Sequence, residues 1–177
     1  MSEGPPPSVL MLMGVSGCGK STTGEILAER LGWPFRDADS FHPPANIAKM
    51  SRGVALADED RWPWLEAIAA WIDERLARGE RGIVSCSALK RAYRDRLRVR
   101  RAGVRLVFLS GDKALIAARL AARLDHFMPP ALLDSQFAAL EAPGPDERPL
   151  VMPIEPPPRE LAEAIMARLG LAPAARA

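Results

Sequence analysis

Five consecutive apolar residues, Val9 to Met13, run straight into Gly14-Val15-Ser16-Gly17-Cys18-Gly19-Lys20-Ser21. This junction constrains the chain more than any other segment. An uninterrupted apolar run is the pattern of a strand buried on both faces, as in parallel sheets covered by helices. The octapeptide fits G-x-x-x-x-G-K-[ST], a loop whose glycines let main-chain N–H groups converge on phosphate oxygens where a Cβ would intrude. Helical periodicity follows, with Ile26, Leu27 and Leu31 on one side and Gly32 placed as a C-cap. Strand, loop and helix in that order predict a nucleoside triphosphate site. The helix N-terminus favours the anion, Lys20 reaches the β and γ phosphates, and the Ser21 hydroxyl ligates Mg²⁺. The spacing of Gly14, Gly17 and Gly19 does not fit G-x-G-x-x-G, which disfavours a dinucleotide.

The remaining segments alternate in kind. Short strands are predicted at Phe35 to Asp37, Gly82 to Val84, Val104 to Leu109 and Leu150 to Ile154. Helices are predicted at Asp60 to Leu76, where Trp64, Ile68, Ile72 and Leu76 recur every four residues, and at Lys90 to Arg101, Lys113 to Leu124 and Arg159 to Leu169. Strands separated by helices of this length imply right-handed parallel crossovers, hence an α/β three-layer sandwich. The 177 residues suit one domain, with residues 1–8 as a flexible start and residues 124–140 as a lid. Seventeen prolines cluster between the periodic segments, so they mark loops. Pro153 falls inside the last strand and predicts an edge position for it.

Composition narrows the function. Twenty-four Lys and Arg against 22 Asp and Glu leave a net charge of +2, which argues against nucleic-acid and polybasic membrane binding. Two cysteines build no disulfide framework, and no Cys/His cluster has zinc-like spacing. The first apolar run is too short for a signal-peptide core or a membrane span, so a cytoplasmic setting is expected.

A phosphate-binding loop alone does not say what the nucleotide is for. A guanine-reading N-K-x-D is absent: the single asparagine, Asn46, is followed by Ile47-Ala48-Lys49. Leu109-Ser110-Gly111 begins a transporter-type L-S-G-G-Q but stops there. A small-molecule kinase fits better, and a nucleotide-binding regulator without turnover is the alternative of another class. Asp37-Ala38-Asp39 discriminates. Residues two apart on a strand share a face, so both carboxylates would look into the crevice at the carboxyl edge of the sheet. One can hold Mg²⁺ through water, and the other can orient or deprotonate an attacking hydroxyl. Arg61 and Arg94 are candidates for gripping an anionic acceptor through bidentate pairing. Arg119 and Arg123, four apart and so on one helical face, would neutralise phosphate charge as the lid closes. Cys18, inside the loop, is expected to confer sensitivity to oxidation.

Taken together, the chain resembles the gluconate kinase (gluconokinase) family of P-loop kinases. The resemblance rests on Val15 to Ser21, on Asp39-x-x-His42-Pro43-x-x-Asn46-x-x-Lys49-Met50 and on Asp60-Arg61-x-Pro63-Trp64-Leu65. It continues in Cys86-Ser87-Ala88-Leu89-Lys90-x-x-Tyr93-Arg94-Asp95, His126-Phe127 and Ser135-Gln136-Phe137. It implies transfer of the ATP γ-phosphoryl group to the 6-hydroxyl of D-gluconate with Mg²⁺, a sheet of order 2-3-1-4-5, and a homodimer. By the same resemblance, Gly14, Ser16, Gly17, Cys18, Gly19, Lys20, Ser21 and Thr22 hold ATP and Mg²⁺, with Arg119, Arg123 and Pro156 completing the nucleotide site. Asp39 orients the acceptor while Asp37 lies nearer the metal. His42, Arg61, Lys90, Arg94, His126 and Gln136 hold gluconate. Ala38, Asp125 and Ala55 depart from the family's usual Gly, Gly and Pro, and none removes a chemical group. A shikimate-type kinase shares the loop and the D-x-D layout, but typically shows a glycine triplet where this chain has Ser85-Cys86-Ser87.

Overall fold

The computed structural model describes residues 4–123 and 130–176. Its strands are β1 (Val9–Met13), β2 (Phe35–Asp37), β3 (Gly82–Ser85), β4 (Val104–Ser110) and β5 (Leu150–Pro153). Its helices are α1 (Lys20–Leu31), α2 (Pro44–Ser51), α3 (Asp58–Ala77), α4 (Arg91–Leu97), α5 (Lys113–Ala122), α6 (Pro130–Ala139) and α7 (Pro158–Leu169). The five strands form one sheet of order β2-β3-β1-β4-β5, all pairs parallel. Every strand therefore ends at the same edge, and the loops that follow them converge there.

The side-chain period of a strand explains the two cores. Leu10 and Leu12 of β1 belong to a cluster with Leu27 of α1, Ile116 of α5 and Ile165 of α7. Val9, Met11 and Met13 point the other way, into a cluster with Ile68 and Ile72 of α3 and Leu97 of α4. An unbroken apolar run is what a strand facing two cores requires. Pro153 pairs with Ser110 from the outermost strand, as its missing N–H demands. No helix among the described residues is long and apolar enough to cross a membrane.

Three local readings are corrected. The basic helix stops at Leu97 because Arg98 adopts a left-handed conformation (φ 57°), short of the predicted Arg101. Helix α5 stops at Ala122, and Arg123 is extended (φ −83°, ψ 117°), so Arg119 and Arg123 do not share a helical face. β2 ends at Asp37, and Ala38–Phe41 winds into a 3₁₀ turn. Strand alternation is therefore not what places Asp39.

Candidate active site

The loop between β1 and α1 is the centre of the converging edge. Gly14 and Gly19 take positive φ (151° and 95°). A Cβ on Gly14 would stand 2.8 Å from the Leu109 carbonyl oxygen, so only glycine lets β1 and β4 keep their spacing here. Gly14 N–H donates to the Ser87 carbonyl (3.3 Å), which ties the loop to the segment after β3. Lys20 Nζ lies back along the loop and donates to the carbonyls of Gly14 (2.9 Å) and Val15 (3.1 Å). Ser21 and Thr22, in the first turn of α1, are exposed. Cys18 is buried, and desolvation pushes its thiol pKa up, with Lys20 opposing only in part. A buried, protonated thiol is a poor nucleophile, so the expected oxidation sensitivity is not supported by its surroundings.

Asp37 stands at the end of β2, and its carboxylate gathers donors. Oδ2 accepts from Ser21 Oγ (2.7 Å) and Ser85 Oγ (3.2 Å), and Oδ1 accepts from the Asp39 N–H (2.9 Å). Asp37 thereby caps the 3₁₀ turn that carries Asp39. Asp39 thus sits on a turn and not on the strand. Burial of the Asp39 carboxyl raises its pKa and the nearby Asp37 adds to this, while His42 and Lys20 act in the opposite sense.

A wall of polar and aromatic side chains beside this turn rises from α2 and α3. Trp64 Nε1 donates to the Ala38 carbonyl (2.7 Å), and its ring stacks on His42 with centroids 4.3 Å apart. Asn46, buried, spans His42 Nδ1 (3.3 Å) and the Asp60 carbonyl (2.9 Å). Desolvation lowers the His42 pKa, so its imidazole is neutral near pH 7. Arg61 Nη1 donates to Asp58 (3.4 Å) and to Tyr93 Oη (3.3 Å), and Tyr93 Oη donates to Asp58 Oδ1 (2.6 Å). Lys90 Nζ lies 3.7 Å from the same carboxylate. Asp60 takes Lys49 at 2.8 Å and the Ala57 N–H at 2.9 Å, fixing the start of α3.

Arg94 is the clearest departure from the sequence reading. Its side chain is fully buried, with Nε and Nη2 on Glu147 (2.6 and 3.2 Å) and Nη1 on the carbonyls of Ala88 (2.9 Å) and Leu89 (3.0 Å). It does not face the crevice. It clamps the turn after β3, where Ala88 holds a positive φ of 46°. Burial opposes ionisation of Glu147, but the Arg94 hydrogen bond and the Gly144 N–H outweigh it and lower its pKa. Glu147 went unnoticed in the sequence, because nothing local marks a partner 53 positions away.

The other predicted residues fall as follows. Gln136 on α6 is bonded to the loop between β1 and α1 and not to the Asp58, Arg61 and Lys90 group: its Oε1 accepts from the Ser16 N–H (3.2 Å) and lies 3.3 Å from Ser16 Oγ. Gly17 packs against Leu120 of α5. Arg119 donates to the Glu155 carbonyl (3.3 Å), which brings α5 beside the loop that carries Pro156. Arg123 is exposed at the end of α5. His126 lies outside the described residues.

Comparison with known proteins now adds to this geometry. A family model described as shikimate kinase matches residues 16–141. A gluconokinase of Gluconobacter oxydans is 48% identical over 141 residues, covering 80% of this chain and 79% of that protein. The chain belongs to the gluconokinase family. A probable gluconokinase of Mus musculus is 41% identical over 180 residues, covering 92% of this chain and 98% of the relative. The crystal structure of a gluconokinase from Sinorhizobium meliloti superposes with a TM-score of 0.81 at 46% identity, covering 94% of each chain. The P-loop kinase fold expected for this family is thus the one observed.

Proposed function

We propose that the protein transfers the γ-phosphoryl group of ATP to the 6-hydroxyl of D-gluconate. The observation that carries this reading is the Asp37–Asp39 turn. One carboxylate is bonded to the first turn of the phosphate-binding helix and to the Asp39 N–H, and the Asp39 carboxyl, partly desolvated, feels the charges of Asp37, His42 and Lys20. Backbone amides from Gly14 to Lys20 would cradle the triphosphate, and Lys20 would swing from its carbonyl partners to the β and γ oxygens. Ser21 and Asp37 offer hard oxygen donors 2.7 Å apart, which suits Mg²⁺ completed by water and phosphate oxygens. Bound Mg²⁺ would neutralise charge between the β and γ phosphates. Arg119, Arg123 and Thr22 extend the phosphate site, and Pro156 borders the base.

On the acceptor side, Arg61 and Lys90 would pair with the gluconate carboxylate. Both already lie against Asp58, so their charges are positioned before the acceptor arrives. His42, neutral and stacked on Trp64, would exchange hydrogen bonds with hydroxyls, and His126 is assigned there with it. Asp39 would accept the hydrogen bond of the attacking hydroxyl. As the new P–O bond forms and the bond to the ADP oxygen breaks, the hydroxyl proton passes to Asp39 and then to water. Further parts of this reading are a homodimer in the cytoplasm and the absence of nucleic-acid or membrane partners.

An acceptor panel tests the proposal. ADP release should rise with gluconate and stay at background with shikimate, other sugar acids and AMP. Release stimulated by shikimate and not by gluconate would replace the substrate, and ATP binding without turnover on any acceptor would replace the enzyme with a regulator.

A further inference from the structure

The amino end of the sheet, opposite the phosphate-binding loop, carries a second concentration of charge. A cleft of ≈ 330 Å³ opens between the Pro5–Pro7 segment, the start of β4, the start of β5 and the end of α7. Arg105, Arg148 and Arg168 line it. A shallower hollow of ≈ 740 Å³ adjoins it and shares Gly4, Arg105 and Arg148. No acidic residue lines either one.

Three observations point to a ligand. First, among the described residues no ion pair reaches any of these three arginines, whereas nine others are paired with carboxylates. Second, Arg105 Nε is buried without a hydrogen-bond partner. Arg75 and Arg101 share that feature, but their terminal nitrogens are paired with Glu80 and Asp73, whereas Arg105 has neither kind of partner. A buried donor of this kind is costly unless an ion or water completes it. Third, Arg148 holds a left-handed backbone (φ 48°) directly after Glu147, which the buried Arg94 fixes in place. The buried ion pair thus anchors the backbone from which Arg148 reaches the cleft.

We propose that this cleft is a second anion site, separate from the catalytic crevice, for a phosphate ester of about sugar size. Guanidinium forks suit phosphoryl oxygens, and the proline-lined wall with Val104, Leu150 and Leu169 suits a short carbon skeleton. The volume is at the lower end of what small-molecule sites occupy and exceeds what bare phosphate needs. This site does not depend on the identity of the catalytic acceptor.

The test follows the arginine Nε–Hε resonances by NMR, with the catalytic crevice saturated by a non-hydrolysable ATP analogue and gluconate. The probes are inorganic phosphate, 6-phosphogluconate and further gluconate. The Arg105 resonance should shift saturably with phosphate and several-fold more tightly with 6-phosphogluconate, and not at all with gluconate. Arg148→Gln, at an exposed position, should fold normally, keep its kcat, and weaken 6-phosphogluconate binding about tenfold or more, with Arg148→Lys in between. A linear drift without saturation, an unchanged affinity in Arg148→Gln, or equal affinity for phosphate and the ester overturns the assignment.

Discussion

The two ends of the sheet follow opposite electrostatic plans. At the carboxyl end, cations and carboxylates are interleaved and mutually bonded: Lys20 on loop carbonyls, Asp37 on Ser21 and Ser85, Arg61 and Lys90 around Asp58. At the amino end, Arg105, Arg148 and Arg168 gather around a cleft with no lining acid. A crevice that must move a charged group between two anions needs positions held before either arrives. A cleft that only binds can leave its cations for the ligand to satisfy. The buried Arg94–Glu147 pair lies between the two plans, with Ala88 and Leu89 of the catalytic edge on one side of it and Arg148 next in sequence on the other.

The pair between the ends should give the largest effect. Arg94→Met strands a buried carboxylate and should cost about 3–5 kcal/mol of stability in denaturant unfolding. Adding Glu147→Leu should recover most of that loss. If Arg94→Met instead left stability intact and raised only the KM for gluconate, Arg94 would return to the acceptor site and the comparison would break. The linkage has a definite sign. Glu147 has a depressed folded pKa, so its contribution is present above the unfolded glutamate value and disappears as pH falls through the folded one.

At the carboxyl end alone, Lys20→Met should lower kcat about 10²–10³-fold with little change in melting temperature, since its partners are carbonyls its own loop can leave to water. A purely structural lysine would show the reverse. The pH profile sharpens the role of Asp39. Its pKa is raised, so the carboxylate form is lost as pH falls through a value above the ordinary aspartate range. The acid limb of kcat/KM should inflect there, and Asp39→Asn should abolish that limb. Gln136→Ala removes the acceptor on Ser16 and should change the affinity for an ATP analogue by about two- to tenfold, leaving gluconate affinity alone. An effect on gluconate only would put Gln136 back on the acceptor wall. The smallest effect belongs to the amino end, where Arg148→Gln should shift stability by no more than about 0.5 kcal/mol.

How much of this was legible in the sequence follows from the range of each interaction. The β1–loop–α1 unit is local: apolar run, glycine spacing and helix periodicity lie within 23 residues, Val9 to Leu31, and the structure agrees with them. The sheet order followed from family resemblance, and Pro153 pointed independently to the edge. Asp37 and Asp39 were singled out for a reason that needed revision, because a capped 3₁₀ turn and not an extended strand brings Asp39 round. The place of Arg94 is not legible, because burial and a partner 53 residues away leave no local trace: an arginine on an amphipathic helix reads alike whether it faces ligand, solvent or Glu147. Helical spacing pairs Arg119 with Arg123, and this fails because the helix ends at Ala122, two residues short of the predicted Leu124. The arginine cleft is the extreme case, assembled from the start of β4, the start of β5 and the end of α7.

The central claim is that Asp39 presents the acceptor hydroxyl to a phosphoryl group held by the loop. Its most direct test is the steady-state kinetics of Asp39→Asn with gluconate, measured as 6-phosphogluconate formed while ATP is varied. Here kcat should fall about 10²-fold or more while the KM for ATP stays within about threefold of wild type. An unchanged kcat, or a loss confined to ATP affinity, would contradict it.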